Sequence, residues 1–200
     1  MKKIILALFC ASTISLTSNA QLPIALVAGV NMANATQKMA GSSISSSSIT
    51  GFHIGLMTEL SFGEKLSLMP GLIYSIKGSK VSDFNVTAKI NYLEIPINVA
   101  YKLPVNGLFV YAGPYLGYAL SGTTEVSGSS TSMTFGNDSS NNAKKMDVGL
   151  NIGVGYNLPM HLFVRAQYGM GLSNLQPKGD ADNMIKNKVF GISVGYYFRR

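Results

Sequence analysis

Cysteine is almost missing from this chain of 200 residues; the one present, Cys10, falls within the first twenty. An exported domain without disulfides must be held together by a large core or by a membrane. Charge is scarce as well, at 12% of residues against roughly a quarter in an ordinary soluble domain. The basic residues are scattered, with no run longer than Lys144-Lys145 or Arg199-Arg200, so a nucleic-acid binder's basic stripe is absent. Past the first twenty residues no segment reaches the 18 or so continuous apolar residues of a membrane helix. No long stretch repeats apolar residues at helical spacing either. Two distant histidines, His53 and His161, make no metal site. Gly-Val-Gly and Gly-Met-Gly make no phosphate loop, because no helix follows either of them. No metal, cofactor or nucleic acid is expected.

The segment MKKIILALFCASTISLTSNA has Lys2 and Lys3, an apolar run from Ile4 and the small-residue pattern Ser18-Asn19-Ala20. That order describes a secretory signal peptide over residues 1–20, cleaved before Gln21. The bulky Phe9 beside Cys10 makes it a poor lipid-attachment site. Residues 21–200 then form one domain. Removing Lys2 and Lys3 from the 16 basic residues leaves 14 against 9 acidic ones, a net charge of +5.

What the chain does have is period-two alternation. Eight runs carry it, at about residues 22–33, 51–62, 66–77, 90–102, 108–120, 145–156, 162–172 and 188–198. Their connections alternate in length. Gly63-Glu64-Lys65, LPVNG and NLPMH are tight turns. The others, such as SGTTEVSGSSTSMTFGNDSSNNAK, are long and rich in Ser, Gly and Asn. Short turns at one end and long loops at the other describe an up-and-down meander of even strand number.

Each run has one apolar face, which could point inward to a core or outward to lipid. A soluble lipocalin-like barrel binding a small apolar ligand is the inverted alternative. Glycine discriminates between them. Of the 21 glycines, those within the runs all share the less apolar face. Glycine weakens a water-facing strand, but a narrow eight-stranded lumen needs small residues between large ones. The aliphatic face then meets lipid. On that face Phe62, Tyr101, Tyr156 and Phe198 lie near the short turns, and Phe52, Tyr74, Tyr118 and Phe190 near the long loops. Two aromatic belts are expected there. The fold expected is an all-β, eight-stranded, antiparallel up-and-down transmembrane barrel.

The motif YLEIP at 92–96 leading into INVAYKL, the strand YAGPYLGYAL and the ending VGYYF resemble the outer-membrane β-barrel proteins common in Bacteroidetes, often labelled porin family. The resemblance covers essentially all of residues 21–200. It implies an eight-stranded barrel in the outer membrane of a Gram-negative bacterium, inserted by the barrel assembly machinery. That machinery reads a C-terminal strand ending in an aromatic; here Arg199 and Arg200 follow Phe198. It implies no defined substrate.

Five charged residues take lumen positions: Glu59, Lys77, Glu94, Asp147 and Arg165. In a narrow lumen they should be paired, with Arg165 expected against Glu94, Glu59 or both, as a structural network that plugs the barrel. An ion-conducting constriction is the alternative. Pro96 in mid-strand cannot donate to the ladder, so a bulge or a locally opened ladder is expected beside it. His53, on the lumen side near SSISSSS, could pair with a serine nucleophile, but serine runs are solvated loop and His161 falls in a short turn. No enzyme is expected. The loops at 34–50 and 121–144 are expected to be exposed and mobile, covering the mouth or binding an extracellular ligand.

Overall fold

Alternation of polar and apolar residues is resolved into strands throughout the computed structural model, which describes residues 22–82 and 85–198. The signal-peptide segment lies outside the described residues. The strands are β1 (Ile24–Met39), β2 (Ser42–Ile44), β3 (Ile49–Thr58), β4 (Leu60–Phe62), β5 (Leu66–Val81), β6 (Val86–Lys102), β7 (Leu108–Val126), β8 (Ser129–Ser132), β9 (Met146–Asn157), β10 (Leu162–Gly171) and β11 (Met184–Tyr197). Every neighbouring pair is antiparallel, in the order β11-β10-β9-β7-β6-β5-β3-β1, and β11 pairs back onto β1 from Ala25↔Tyr197 to Lys38↔Met184. The circuit is therefore closed. It has eight staves among the described residues, β3 and β4 forming one that is interrupted at Glu59.

The stagger follows from one row of partners. Phe109 faces Gly155, then Arg165, Ser193, Gly29, His53, Ser75, Tyr92 and finally Ala119. One trip around the barrel thus returns to β7 ten residues further on. With the usual ~3.3 Å rise per residue and ~4.7 Å between strands, that stagger tilts the staves by about 40° and places the backbone about 8 Å from the axis. The interior has room for side chains and little else.

Burial alternates accordingly. Along β9, Met146, Val148, Leu150, Ile152, Val154 and Tyr156 are exposed outward, while Asp147, Asn151 and the glycines between them line the inside. At this tilt, Met146 to Tyr156 rises about 25 Å, the height of an outer-membrane apolar band. The inside carries Asn31, His53, Lys77, Glu94, Asn98, Asp147, Arg165 and Ser193, all buried. That is the reverse of the apolar cavity a lipocalin-like barrel needs.

Interior rings lie over the wall where a glycine faces them across the ladder. Phe163 is paired with Gly195, Phe109 with Gly155 and Tyr111 with Gly153. A Cβ on any of these glycines would run into the ring opposite. Glycine thus marks where the wall must be thin, and the rings fill the width that it frees.

Five of the strands run well past their expected ends, always on the long-loop side: β1 to Met39, β5 to Val81, β6 back to Val86, β7 to Val126 and β11 back to Met184. There β1 turns into β2 and β7 into β8 as two-residue hairpins, with Ala40-Gly41 and Ser127-Gly128 at positive φ. In these extensions the inward residues, such as Ala35 and Ser79, are small or polar though buried, and the outward ones are polar too, so they carry no period-two signal. The segment expected to be mobile is also folded inward in part. Met133 and Phe135 pack against Ile90, Tyr92, Ala119 and Ala143, and Leu175 is buried beside them over the mouth.

Of the two outcomes expected beside Pro96, a bulge or an opened ladder, the structure has the second. The register slips between Asn91 and Tyr92, five residues earlier. Around Pro96 the register holds, but the ladder opens on both sides. Pairing lapses between Pro70↔Ile97 and Ile73↔Glu94 on one side, and between Pro96↔Tyr115 and Val99↔Ala112 on the other. Pro70 and Pro114 also lie in this patch, so three missing N–H groups are concentrated on adjacent strands.

Candidate functional site: a layered lumen

The strand alternation that turns β5, β6 and β9 toward lipid turns Lys77, Glu94 and Asp147 toward one another. Glu94, Gly117 and Asp147 stand on a single row of partners across β6, β7 and β9. Gly117 leaves the gap between the two carboxylates into which Lys77 reaches from β5. Its Nζ lies 3.0 Å from Glu94 Oε1 and 3.2 Å from Asp147 Oδ2. It also stands 4.1 Å over the Tyr115 ring and 5.4 Å over the Tyr92 ring. Asp147 has a fully buried side chain and accepts from Asn187 Nδ2 at 2.9 Å, Tyr115 Oη at 3.2 Å and Ser173 Oγ at 3.3 Å. These hydrogen bonds stand in for the water that a buried carboxylate gives up.

Toward the short turns comes an uncharged layer. Asn31 donates from Nδ2 to Ser75 Oγ at 3.0 Å and toward the Ile76 carbonyl at 3.3 Å. Its Oδ1 is then the acceptor for His53 Nδ1–H at 2.8 Å, which leaves His53 Nε2 to accept from the Ser193 hydroxyl at 2.7 Å. Serine, histidine and asparagine stand at the spacing of a nucleophile, base and orienting group. The serine is Ser193 on β11, not one from the serine-rich loop. All three are buried, and the cavity beside them measures about 40 Å³.

Arg165 does not meet either carboxylate expected for it. Among the described residues the ion pairs are Lys77 with Glu94 and Asp147, and Lys102 with Glu59 at 3.4 Å. The Arg165 guanidinium instead lies 5.7 Å over the Tyr111 ring, with Nη1 3.4 Å from Met57 Sδ, and its Nε has no hydrogen-bond partner. The reason is the stagger: Arg165 shares its row with Ser193, Gly29 and His53, away from Glu94. It faces Glu94 only across the small cavity that both line. Glu59, near the short turns, also accepts from Tyr197 Oη at 2.9 Å.

All five expected lumen charges are thus inside, at 8% exposure or less. Lys102, Tyr115, Asn187 and the Asn31–His53–Ser193 chain were missed. Their parity was legible, since asparagine recurs at lumen positions of β1, β6, β9 and β11, but their partners depend on register. The eight expected belt aromatics all point outward; the Phe52 and Tyr74 rings meet at 5.9 Å, tilted 41° to each other. Tyr196, also outward, joins Phe198 at 5.9 Å. His161 occupies a short turn, at positive φ with Met160.

A family model described as an outer membrane protein beta-barrel domain matches residues 18–176. No curated protein matches the chain in sequence. Among solved structures, Neisserial surface protein A is similar at 14% identity and a TM-score of 0.52, covering 88% of this chain and 97% of that one. Ail, the attachment invasion locus protein of Yersinia pestis, crystallised with the heparin analogue sucrose octasulfate, is similar at 14% identity and a TM-score of 0.48, with 89% and 99% covered. OprG of Pseudomonas aeruginosa follows at 15% identity and 0.43, with 89% and 97% covered. With a closed ring of eight tilted staves, an outward apolar band and a polar interior, the chain belongs to the outer membrane protein β-barrel domain family, and its place is the outer membrane of a Gram-negative bacterium.

Proposed function

We propose that this protein is a structural or adhesive outer-membrane barrel with a plugged lumen, and that its long loops, not a channel, meet the outside. The observation that carries this reading is the Lys77–Glu94–Asp147 layer, which spans the interior with Tyr92 and Tyr115 around it. An ion crossing there would have to displace ligands that a fully buried carboxylate holds. The short turns face the periplasm and the long loops the exterior. Residues 1–20 act as the export signal, and the aromatic-ended β11 hands the chain to the barrel assembly machinery. The hairpins β1–β2 and β7–β8, within residues 34–50 and 121–144, present the surface for an extracellular ligand. The Ser193–His53–Asn31 chain is a structural clamp in this reading, because a substrate has no room beside it.

Proteoliposome swelling with sugars and amino acids of increasing size tests the plug. Swelling no faster than in protein-free vesicles is expected; size-dependent uptake would instead make the protein a porin. Surface labelling of a cysteine placed at Ser130 in intact cells tests the orientation, and labelling only after lysis would reverse it.

A further inference from the structure

Above the aromatic residue Phe190, the outer face of β11 changes character. From Asn187 to Phe190 burial alternates, with Asn187 and Val189 buried and Lys188 and Phe190 exposed, and Lys186 lies half-buried on the same face as Lys188. Lys188 stands opposite Asn34, Lys186 opposite Thr36, and Lys38 opposite Met184 across the β1–β11 ladder. Three lysines therefore share one outward patch on two adjacent strands. Lys188 begins about 5 Å above Phe190 along the barrel axis. None of the three has a carboxylate within ion-pair distance among the described residues.

The rim is different elsewhere. Lys89 has Glu125 diagonally across β6–β7, and Lys145 lies 5.9 Å over the Tyr118 ring. On β1 and β11 three like charges are held together with no acid directly opposite any of them, and Asp182, diagonal to Lys38 beside Gly41, makes no ion pair with it; the arrangement repels itself until an anion joins it. What lies directly below argues for the kind of anion. Met32, Val30, Phe190 and Ile192 continue the same face as an exposed apolar stripe. A ligand that satisfies both parts has acyl chains below and a negative headgroup above.

We propose that Lys38, Lys186 and Lys188 form a binding site for the phosphate groups of a phosphorylated glycolipid in the outer leaflet, with its acyl chains lying along Met32 and Phe190. The site rests on the orientation proposed above, with the long loops outward. Lysine near a membrane surface attracts anionic lipid as a point charge without demanding one geometry. Thr36, between Lys38 and Asn34, places a hydroxyl in the same patch.

The experiment uses the full-length mature barrel in phosphatidylcholine nanodiscs containing a few per cent of lipid A, its dephosphorylated counterpart, or neither. Retained lipid is counted by native mass spectrometry after detergent transfer. Lipid A should co-purify with the wild-type protein, and retention should fall at least tenfold in K38Q/K186Q/K188Q. The control K80Q/K89Q, on the other side of the rim, should keep it. Dephosphorylated lipid A should be retained weakly by all forms, and millimolar inorganic phosphate should not displace the glycolipid. Equal retention by the triple variant, equal retention of the dephosphorylated lipid, or displacement by free phosphate would each overturn the proposal. Heat-modifiable gel migration of every variant reports folding separately. Reversed orientation in cells would undo the physiological setting but not the nanodisc result.

Discussion

Replacing Lys77 by methionine keeps the volume of the side chain and removes only its charge, so it isolates what the ammonium does in the lumen. The side chain is 4% exposed, and its partners Glu94 and Asp147 are 10% and 0% exposed. At 3.0 and 3.2 Å and an effective dielectric of about 20, each attraction is worth roughly 5 kcal/mol before desolvation is counted. Desolvation of three charges cancels most of that sum in the native protein. In Lys77→Met the attraction goes while the two carboxylates stay buried and repel each other, which costs about 3–5 kcal/mol. Urea unfolding followed by heat-modifiable gel migration in lipid vesicles reads this directly. The triple variant Lys77→Met, Glu94→Gln, Asp147→Asn should recover most of the loss, because no charge is then stranded. A Lys77→Met protein within about 0.5 kcal/mol of wild type would refute the claim that this layer is dry and coupled.

Arg165 should behave differently, because no carboxylate pairs with it. Arg165→Met is expected to be neutral or slightly stabilising, whereas Arg165→Ala should cost about 2 kcal/mol through the space it leaves; the same unfolding assay separates them. In the turn between β9 and β10, Met160 and His161 both have positive φ, a conformation that strains residues other than glycine and asparagine. Met160→Asn with His161→Gly should therefore stabilise the barrel by about 1–2 kcal/mol, seen as a higher urea midpoint at unchanged slope. In the loop before β11, the Asp180 carboxylate is held below its ordinary 3.8 by Asn183, through backbone and side chain, and by the Asp182 amide. Ionised Asp180 therefore orders that loop fully above its ordinary value. The order is lost as pH falls through the lowered one. Amide chemical shifts of Asp182 and Asn183 should move together across that window in wild type and stay flat in Asp180→Asn.

Which residues face the lumen was legible from alternation, and glycine supplied the polarity, since Gly153, Gly155 and Gly195 face rings that no longer side chain could clear. Who meets whom inside was not legible. Partnership across a closed barrel depends on the ten-residue stagger, and a single residue of slip, such as that at Asn91/Tyr92, redirects it. Hence Lys77, not Arg165, took Glu94. The glutamate in YLEIP is explained by that lysine. Its proline is tolerated because the ladder opens around it at Pro70, Pro96 and Pro114.

Single-channel recording in planar bilayers measures the closed lumen directly. The wild-type protein should insert, as judged by its heat-modifiable band from the same vesicles, and yet give no conductance step above the bilayer's own noise at neutral pH. Lys77→Met should give small, flickering steps as water follows the stranded carboxylates. A stable, ohmic conductance of porin size in the wild type, unchanged in Lys77→Met, would contradict a lumen shut by Lys77, Glu94 and Asp147.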